Sequence, residues 1–367
     1  MHKEDRNRPD LIPVRLSWKQ WLIVLPVWLV FLGFGPRLWE RCETFEPGKD
    51  YRVAAGLRDD YALFGRWSRI AAREYPALVI GDSAIWGRYV DREDTLPAQL
   101  NRRLEEPYFA NFGIDGLHNV AVVGLLRHYG RAIRDKRVLL QFNPLWMQSK
   151  RQDLTGDKEF PVNHPRLLPQ FDRTLKCYRA GVEERLSVWA ERSFPFSSLM
   201  NHVVLNYYGN LGLQRWMARH PYRCPAEAID WHVPTDPARD GRADDTTSNW
   251  EQRNLRRQNW RWVALEESRQ WAAFKEILSL LESRGNRVFV LVGPFNPHIM
   301  EQESLGRYQA LRSQIETWLG ANHADYHVAL DLRTEEYGDA SHPLAPGYRR
   351  VAQALCEDRR FQAWLKE

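Results

Sequence analysis

The chain has 367 residues, of which 44% are hydrophobic and 27% charged, so it is long enough for one large α/β domain or two ordinary domains. Its 4 cysteines are too few for a disulfide-stapled miniprotein, and 12% aromatic residues are too many for a disordered chain. A net charge of +5 from mixed charges favours nucleic-acid binding only weakly, and a mean hydropathy of −0.56 excludes a polytopic membrane protein.

An apolar segment near the N-terminus predicts a membrane anchor. Residues 20–36 carry no charge, and as a helix they would span about 25 Å, close to the hydrocarbon thickness of a bilayer. Trp18, Trp21 and Trp39 lie near its two ends, where indole rings favour the membrane interface. No small-residue cleavage site follows, so an uncleaved single-pass anchor is favoured over a signal peptide or a buried helix. Basic residues slightly favour a cytoplasmic N-terminus, with everything after the anchor outside the cytoplasm.

Five short, mostly apolar runs follow, and each is typical of a strand covered on both faces of a parallel sheet. These runs are residues 77–80, 108–114, 137–142, 287–292 and 327–332. Helical patterns lie between or after them at 96–104, 118–133, 262–284, 305–319 and 348–355. The strongest of these, 262–284, has Gly285 as its stop signal. The alternation predicts an α/β fold with a doubly wound, parallel five-stranded sheet.

A long interval after the third strand breaks this alternation. Residues 147–260 are rich in Pro, Trp, Tyr and Arg, which favours a helical insertion, and 236–248 has the polar composition of an exposed loop. The predicted organisation is therefore a tail (1–19), an anchor (20–36), a linker with a helix (37–76), an α/β domain (77–146 and 287–367) and an insertion (147–286).

Ligands of open parallel sheets bind at the carboxyl ends of the strands, so the residues there are the candidates for chemistry. Ser83 follows the first strand in a Gly-Asp-Ser turn, Gly113 ends the second in Asn-Phe-Gly, and Asn143 follows the third. Asp339 and His342 come after the last strand, three residues apart.

These blocks, in this order, resemble the SGNH/GDSL superfamily of esterases and acyltransferases, and the resemblance implies a flavodoxin-like three-layer sandwich. The third block departs from the superfamily's Gly-x-Asn-Asp, because residues 141–144 read Gln-Phe-Asn-Pro. The anchor, the Pro-x-Trp turn and the insertion make the chain similar to two branches, the D-alanyl-lipoteichoic acid protein D family and the alginate O-acetylation SGNH proteins. Those proteins act outside the cytoplasm in acylation of envelope polymers, alongside membrane-bound O-acyltransferases.

The resemblance implies a role for each residue in acyl transfer. Ser83 would be the nucleophile, His342 its base, and Asp339 the group that orients the imidazole. The oxyanion hole would consist of the N–H groups of Ser83 and Gly113 and the side chain of Asn143. No metal and no cofactor are expected, because the sequence has neither Cys/His metal spacing nor a phosphate-binding glycine loop.

Each of these residues also has an ordinary structural interpretation. Ser83 could cap a helix, Asp339 could cap the turn before Pro343, and His342 could lie on the surface. Gly113 could serve only a turn, and Asn143 could hold backbone groups.

The expected function is that of a membrane-anchored O-acyltransferase that acts on a cell-envelope glycan through an acyl-serine intermediate. One alternative is a carbohydrate or lipid esterase with the same triad, and another is a non-catalytic scaffold for a membrane-bound O-acyltransferase. The expected location is the inner (cytoplasmic) membrane, with a single-pass anchor and an extracytoplasmic domain. The expected partners are the membrane, a membrane-bound O-acyltransferase and an envelope polysaccharide, and no nucleic acid.

Overall fold

The N-terminal helix is largely exposed in the computed structural model, which describes residues 16–237, 247–329 and 331–366. Helix α1 (Trp18–Cys42) is longer at both ends than the predicted anchor, and the Ser17 side chain caps its N-terminus. None of its residues is buried. Within the described ranges it is the one helix long and apolar enough to cross a membrane, a property that signal sequences share. Most of the predicted tail 1–19 lies outside the described residues. It includes basic residues on which the predicted orientation of the anchor in the membrane depends.

The predicted parallel five-stranded sheet is confirmed. Its strands are β1 (Ala77–Gly81), β2 (Phe109–Gly113), β3 (Arg137–Phe142), β4 (Arg287–Val292) and β5 (Asp325–Val328). They lie in the order β2-β1-β3-β4-β5, so the connection after β1 leads to one side of the sheet and the connection after β3 to the other, and the strand order reverses between β1 and β3. Clefts for ligands form at such a reversal, which places the segments after β1 and β3 beside it.

Helices separate the strands. Around the sheet these are α2 (Tyr61–Glu74), α3 (Ser83–Trp86), α4 (Leu96–Leu104) and α5 (Asn119–His128). Between β3 and β4 the chain forms α6 (Val182–Ser193), α7 (Pro195–Tyr207), α8 (Leu213–Arg219) and α9 (Arg269–Glu282). The C-terminal part adds α10 (Gln302–Ala321), α11 (Ala345–Glu357) and α12 (Arg359–Lys366).

The core forms on both faces of the sheet because successive strand side chains point to opposite sides. Leu78 and Ile80 of β1 pack in one apolar cluster with residues of α2, α5, α9 and α10. Ala77 and Val79 pack in the other cluster with residues of α4, α11 and α12. Burying a Leu or Ile side chain stabilises the fold by about 1.5–3 kcal/mol. This core fixes the strand ends on which the candidate site is built.

The strongest predicted helix, 262–284, starts later than its apolar pattern indicates. Helix α9 begins at Arg269 because the Ser268 side chain accepts the N–H of Trp271. Asp153, from a distant part of the chain, accepts the N–H groups of Arg269 and Gln270 at 3.0 and 3.2 Å. Such caps satisfy N–H groups that have no partner within the helix. Gly285 follows the helix with φ of +76°, as expected for a stop.

The apolar run at 327–332 predicts the last strand, but β5 begins two residues earlier and ends four residues earlier than this run. Strand β5 lies at the edge of the sheet and pairs only with β4, so its residues are more polar than those of the inner strands. Leu332 instead packs beyond the strand, in the cluster with α11. Leu330 of the predicted strand and 238–246 of the predicted loop lie outside the described residues.

The interval after β3 packs against the end of α1 through a buried histidine. His202 of α7 places Nδ1 2.7 Å from Asp60 Oδ2 and Nε2 2.9 Å from Glu43 Oε1. Burial opposes the charge on this imidazole, but the two carboxylates outweigh it and raise the pKa of His202 to about 10. The same contacts hold the pKa of Glu43 below its usual value despite the burial of that carboxyl. A charged imidazole between two carboxylates therefore ties α7 to the C-terminal end of α1 and the N-terminal end of α2.

Candidate active site

Ser83 stands at the sharp turn from β1 into α3. Asp82 is the residue that caps this short helix, because its Oδ1 accepts the N–H of Ala84 at 2.9 Å. The Ser83 hydroxyl is consequently not used as a cap, and its Oγ lies 2.7 Å from Nε2 of His342. The interpretation of Ser83 as an ordinary N-cap is wrong.

His342 is held against Ser83 by a carboxylate. Both oxygens of Asp339 lie 2.7 Å from His342 Nδ1, and Asp339 Oδ1 also accepts the N–H groups of Ser341 and His342 at 3.0 Å each. Asp339 therefore caps the turn, as its structural interpretation proposed, and orients the imidazole as well. His342 is only 6% exposed, so it is not a surface histidine.

The charges of this pair stabilise one another. Burial by itself would favour neutral forms, but the imidazole and three hydrogen bonds lower the pKa of Asp339 to about 2. Burial likewise opposes protonation of His342, and the Asp339 carboxylate outweighs it and raises the pKa of His342 above 6.5. The imidazole is thus prepared to take up a proton while Asp339 stays ionised.

The N–H of Ser83 is available to a ligand. It donates no hydrogen bond to any residue in the part of the chain that the structure describes. The hydroxyl and the N–H of this residue therefore offer an attacking atom and a donor at the same turn.

Gly113 has a role in packing that the sequence does not predict. Its N–H donates to Asn111 Oδ1 at 2.8 Å. A Cβ at this position would lie 2.1 Å from the backbone nitrogen of Trp86, so only glycine lets β2 approach α3 this closely. The role of Gly113 as an oxyanion donor stays a prediction, and it would require the bond to Asn111 to open.

Asn143 connects the ends of β3 and β1. Its Oδ1 accepts the N–H of Leu145 at 3.0 Å, and its Nδ2 donates to Asp82 Oδ2 at 2.7 Å. The indole N–H of Trp146 donates to the same carboxylate oxygen at 2.9 Å. An amide nitrogen carries two protons, and Asn143 Nδ2 donates one hydrogen bond within the described residues, so the second proton can be donated to an oxyanion. Asn143 thus holds backbone, as its structural interpretation proposed, and keeps a donor for the predicted role.

Two further residues, Asp82 and Tyr89, contact the members of the site. Asp82 is fully enclosed, and burial raises its pKa against the hydrogen bonds from Ala84, Asn143 and Trp146. Tyr89 donates its hydroxyl to Asp339 Oδ2 at 3.1 Å, and its ring stands perpendicular to that of His342. The position of Asp82 within the Gly-Asp-Ser turn was a usable signal, whereas nothing in the sequence singles out Tyr89.

Three arginines contact residues in or near the Ser83 turn. Arg88 and Arg58 pair with opposite oxygens of Asp115 at 3.2 and 3.1 Å. The guanidinium of Arg253 lies over the ring of Tyr89, 4.1 Å from its centroid.

A separate cavity lies away from this site. It has a volume of about 590 Å³ and lies between the end of α1, helix α2 and the α6–α7 pair. No group of three or more His, Cys, Asp or Glu side chains in residues 16–237, 247–329 and 331–366 could hold a metal ion.

No protein-family model matches the sequence, and no curated protein matches it. Function must therefore be inferred from the arrangement of the side chains.

Proposed function

We propose that this chain is a membrane-anchored, SGNH-type O-acyltransferase of the cell envelope that works through an acyl group carried on Ser83. The observation that carries the proposal is the continuous chain of contacts from Asp339 through His342 to the Ser83 hydroxyl, with 2.7 Å at each step. Three residues from the two ends of the α/β domain meet at the carboxyl end of a parallel sheet, where ligands bind. The order of the sequence blocks and the layers of helices on both faces of the sheet are consistent with an SGNH three-layer sandwich.

The chemistry follows from the geometry. His342 Nε2 takes the hydroxyl proton as Ser83 Oγ attacks the acyl carbonyl carbon, and Asp339 stabilises the resulting imidazolium. The negative oxygen of the tetrahedral intermediate accepts from the Ser83 N–H and the Asn143 amide. The bond to the leaving group then breaks, and that group receives the proton from Nε2. An acceptor hydroxyl then gives its proton to Nε2 and attacks the acyl carbon. The bond from that carbon to Ser83 Oγ breaks, and Nε2 returns the proton to Oγ, which regenerates the Ser83 hydroxyl and the neutral imidazole.

The acceptor decides between transfer and hydrolysis. If water takes the place of the glycan hydroxyl, the same residues make an esterase, so the two functions differ in the second half-reaction only. The exposed α1 supports an envelope role because an anchored domain meets its polymeric acceptor at the membrane surface. The proposal also includes an inner-membrane location and a partner acyltransferase, because both follow from anchoring the domain at a membrane.

The proposal is tested by incubating the full chain with an activated acetyl ester, with and without envelope glycan. We expect an acetyl group on the peptide that contains Ser83, faster loss of this adduct with glycan, and O-acetylated glycan as the product. Equal rates of adduct loss with and without glycan would indicate the esterase. Normal glycan acylation in cells that carry Ser83→Ala would instead indicate a non-catalytic scaffold.

A further inference from the structure

Helices α6 and α7 form a hairpin that runs beside α1. Phe196, at the tip of the hairpin, packs against Phe31 and Trp28 of α1 with ring centroids 5.5 and 6.4 Å apart. At the other end of α7, Tyr207 lies 6.1 Å from the ring of Trp39. Helix α7 is therefore parallel to α1, and the tip of the hairpin points back along α1 toward its N-terminal half.

The position of this tip can be measured along the apolar segment. Phe31 precedes Arg37, the first charged residue after the segment, by six residues, which in a helix corresponds to about 9 Å. The hydrocarbon core of a bilayer is about 30 Å thick. If α1 spans a membrane, the tip of the hairpin lies well below the level of the headgroups.

The outer surface of the hairpin has the composition that such a position requires. Val182, Leu186 and Trp189 recur at helical spacing along one face of α6, and all three are exposed. Phe194, at the tip itself, is 53% exposed. Helix α7 contains no Asp, Glu, Lys or Arg. Large apolar side chains in water are normally scattered, so a stripe of them that ends in an aromatic tip indicates an apolar environment.

The charged residues that precede the tip in the sequence, Glu191 and Arg192, are turned inward. Glu191 pairs with Arg166, and Arg192 donates to the backbone carbonyls of Arg166 and Leu168. Ionisable groups at membrane depth are paired in this way, because an unpaired charge in hydrocarbon is costly. The charges of α6 that face water, Glu183 and Glu184, are in its first turn, at the end opposite the tip.

We propose that the α6–α7 hairpin inserts into the bilayer beside α1, with phospholipid acyl chains covering Leu186, Trp189 and Phe194. This inference rests on the membrane anchoring within the proposed function and adds a second membrane contact to it. One helix would let the α/β domain turn freely about its axis. Two adjacent contacts fix the orientation of the domain and hold the Ser83 turn at a constant distance from the membrane.

The test uses the full chain in vesicles of phosphatidylethanolamine and phosphatidylglycerol, with one nitroxide spin label per protein. The four native cysteines are free thiols and are replaced by serine or alanine. Single cysteines are then introduced by Phe194→Cys at the tip, Phe31→Cys in α1 and Gln353→Cys on the exposed side of α11. Collisions of each label with oxygen, which concentrates in hydrocarbon, and with a water-soluble nickel complex are measured.

We expect the labels at 194 and 31 to collide mainly with oxygen and the label at 353 mainly with nickel. A label at 194 that favours nickel, while the label at 31 favours oxygen, would overturn the hairpin proposal and leave the anchor intact. Shielding of the label at 194 from both reagents would overturn it as well, since protein would then cover the tip. If the label at 31 itself favours nickel, the anchor of the proposed function fails, and the hairpin proposal fails with it.

Discussion

Two buried histidines, one in the candidate site and one at the C-terminal end of α1, have similar surroundings. His342 has Asp339 at Nδ1 and the Ser83 hydroxyl at Nε2. His202 has Asp60 at Nδ1 and the Glu43 carboxylate at Nε2. The two sites thus differ in the group that faces the second nitrogen.

That single difference separates a base from a structural cation. Two carboxylates keep the imidazole of His202 protonated, since its pKa rises to about 10, so it has no lone pair with which to accept a proton. One carboxylate and a hydroxyl raise the pKa of His342 above its usual value and leave Nε2 facing a proton donor. A carboxylate–imidazole contact is therefore not by itself a sign of catalysis, and the partner of the other nitrogen must be known.

The largest effect is expected from removing the base or the nucleophile. His342→Ala and Ser83→Ala should each lower kcat by about 10⁶-fold. The nucleophile and its base act as a unit, so losing either one removes nearly all of the rate enhancement that the triad provides. His202→Ala, measured per folded molecule, should keep kcat near the wild-type value. Turnover of an activated acetyl ester by the three variants checks this, and a similar loss in all three would remove the distinction between the histidines.

Asp339→Asn should have the next largest effect, a loss of about 10⁴-fold in kcat. It also removes the charge that raises the pKa of His342. The base must be neutral, so wild-type kcat/KM should rise with pH through a midpoint above 6.5, and in the variant that midpoint should move to lower pH. A pH profile of both proteins tests this, and an unchanged midpoint would speak against the Asp339–His342 contact.

Asn143→Ala should lower kcat by about 10²–10³-fold with little change in KM, if the amide stabilises the oxyanion. Trp146→Phe is the matched control, since it removes the other side-chain donor to Asp82 Oδ2 without removing the amide. A comparable loss of kcat in both variants would mean that Asn143 acts only by holding Asp82.

The smallest effect on activity and the largest on stability are expected from His202→Ala. It leaves Glu43 and Asp60 buried without their cation, which should lower the free energy of unfolding by about 3–5 kcal/mol. The stability that the charged imidazole provides is complete below pH 6.5 and is lost as the pH rises through about 10. Thermal unfolding of both proteins from neutral to alkaline pH should therefore show the difference shrinking, and a difference that grows with pH would contradict the assignment.

The two sites also differ in how far the sequence reveals them. Ser83, Asp339 and His342 could be singled out because each lies in a short local block at the end of a strand. Glu43, Asp60 and His202 could not, because His202 is 142 and 159 residues from its partners and no local pattern connects them. The same reason explains the late start of α9, which depends on Asp153, more than a hundred residues away.

The remaining differences between the sequence predictions and the structure are due to packing. The glycine at position 113 was read as a donor for chemistry, whereas the close approach of Trp86 is what requires it in the structure. The sheet could be predicted because its inner strands are buried on both faces and read as continuous apolar runs. At the edge, β5 pairs on one side only, and the apolar run there extended past the strand.

Labelling with a fluorophosphonate reports whether His342 activates Ser83. An activated serine displaces fluoride from the reagent and keeps the phosphonyl group, which mass spectrometry locates. We predict rapid labelling of Ser83 in the wild type and in folded His202→Ala, and none above background in His342→Ala. Labelling of Ser83 at the wild-type rate in His342→Ala would show that His342 does not activate Ser83.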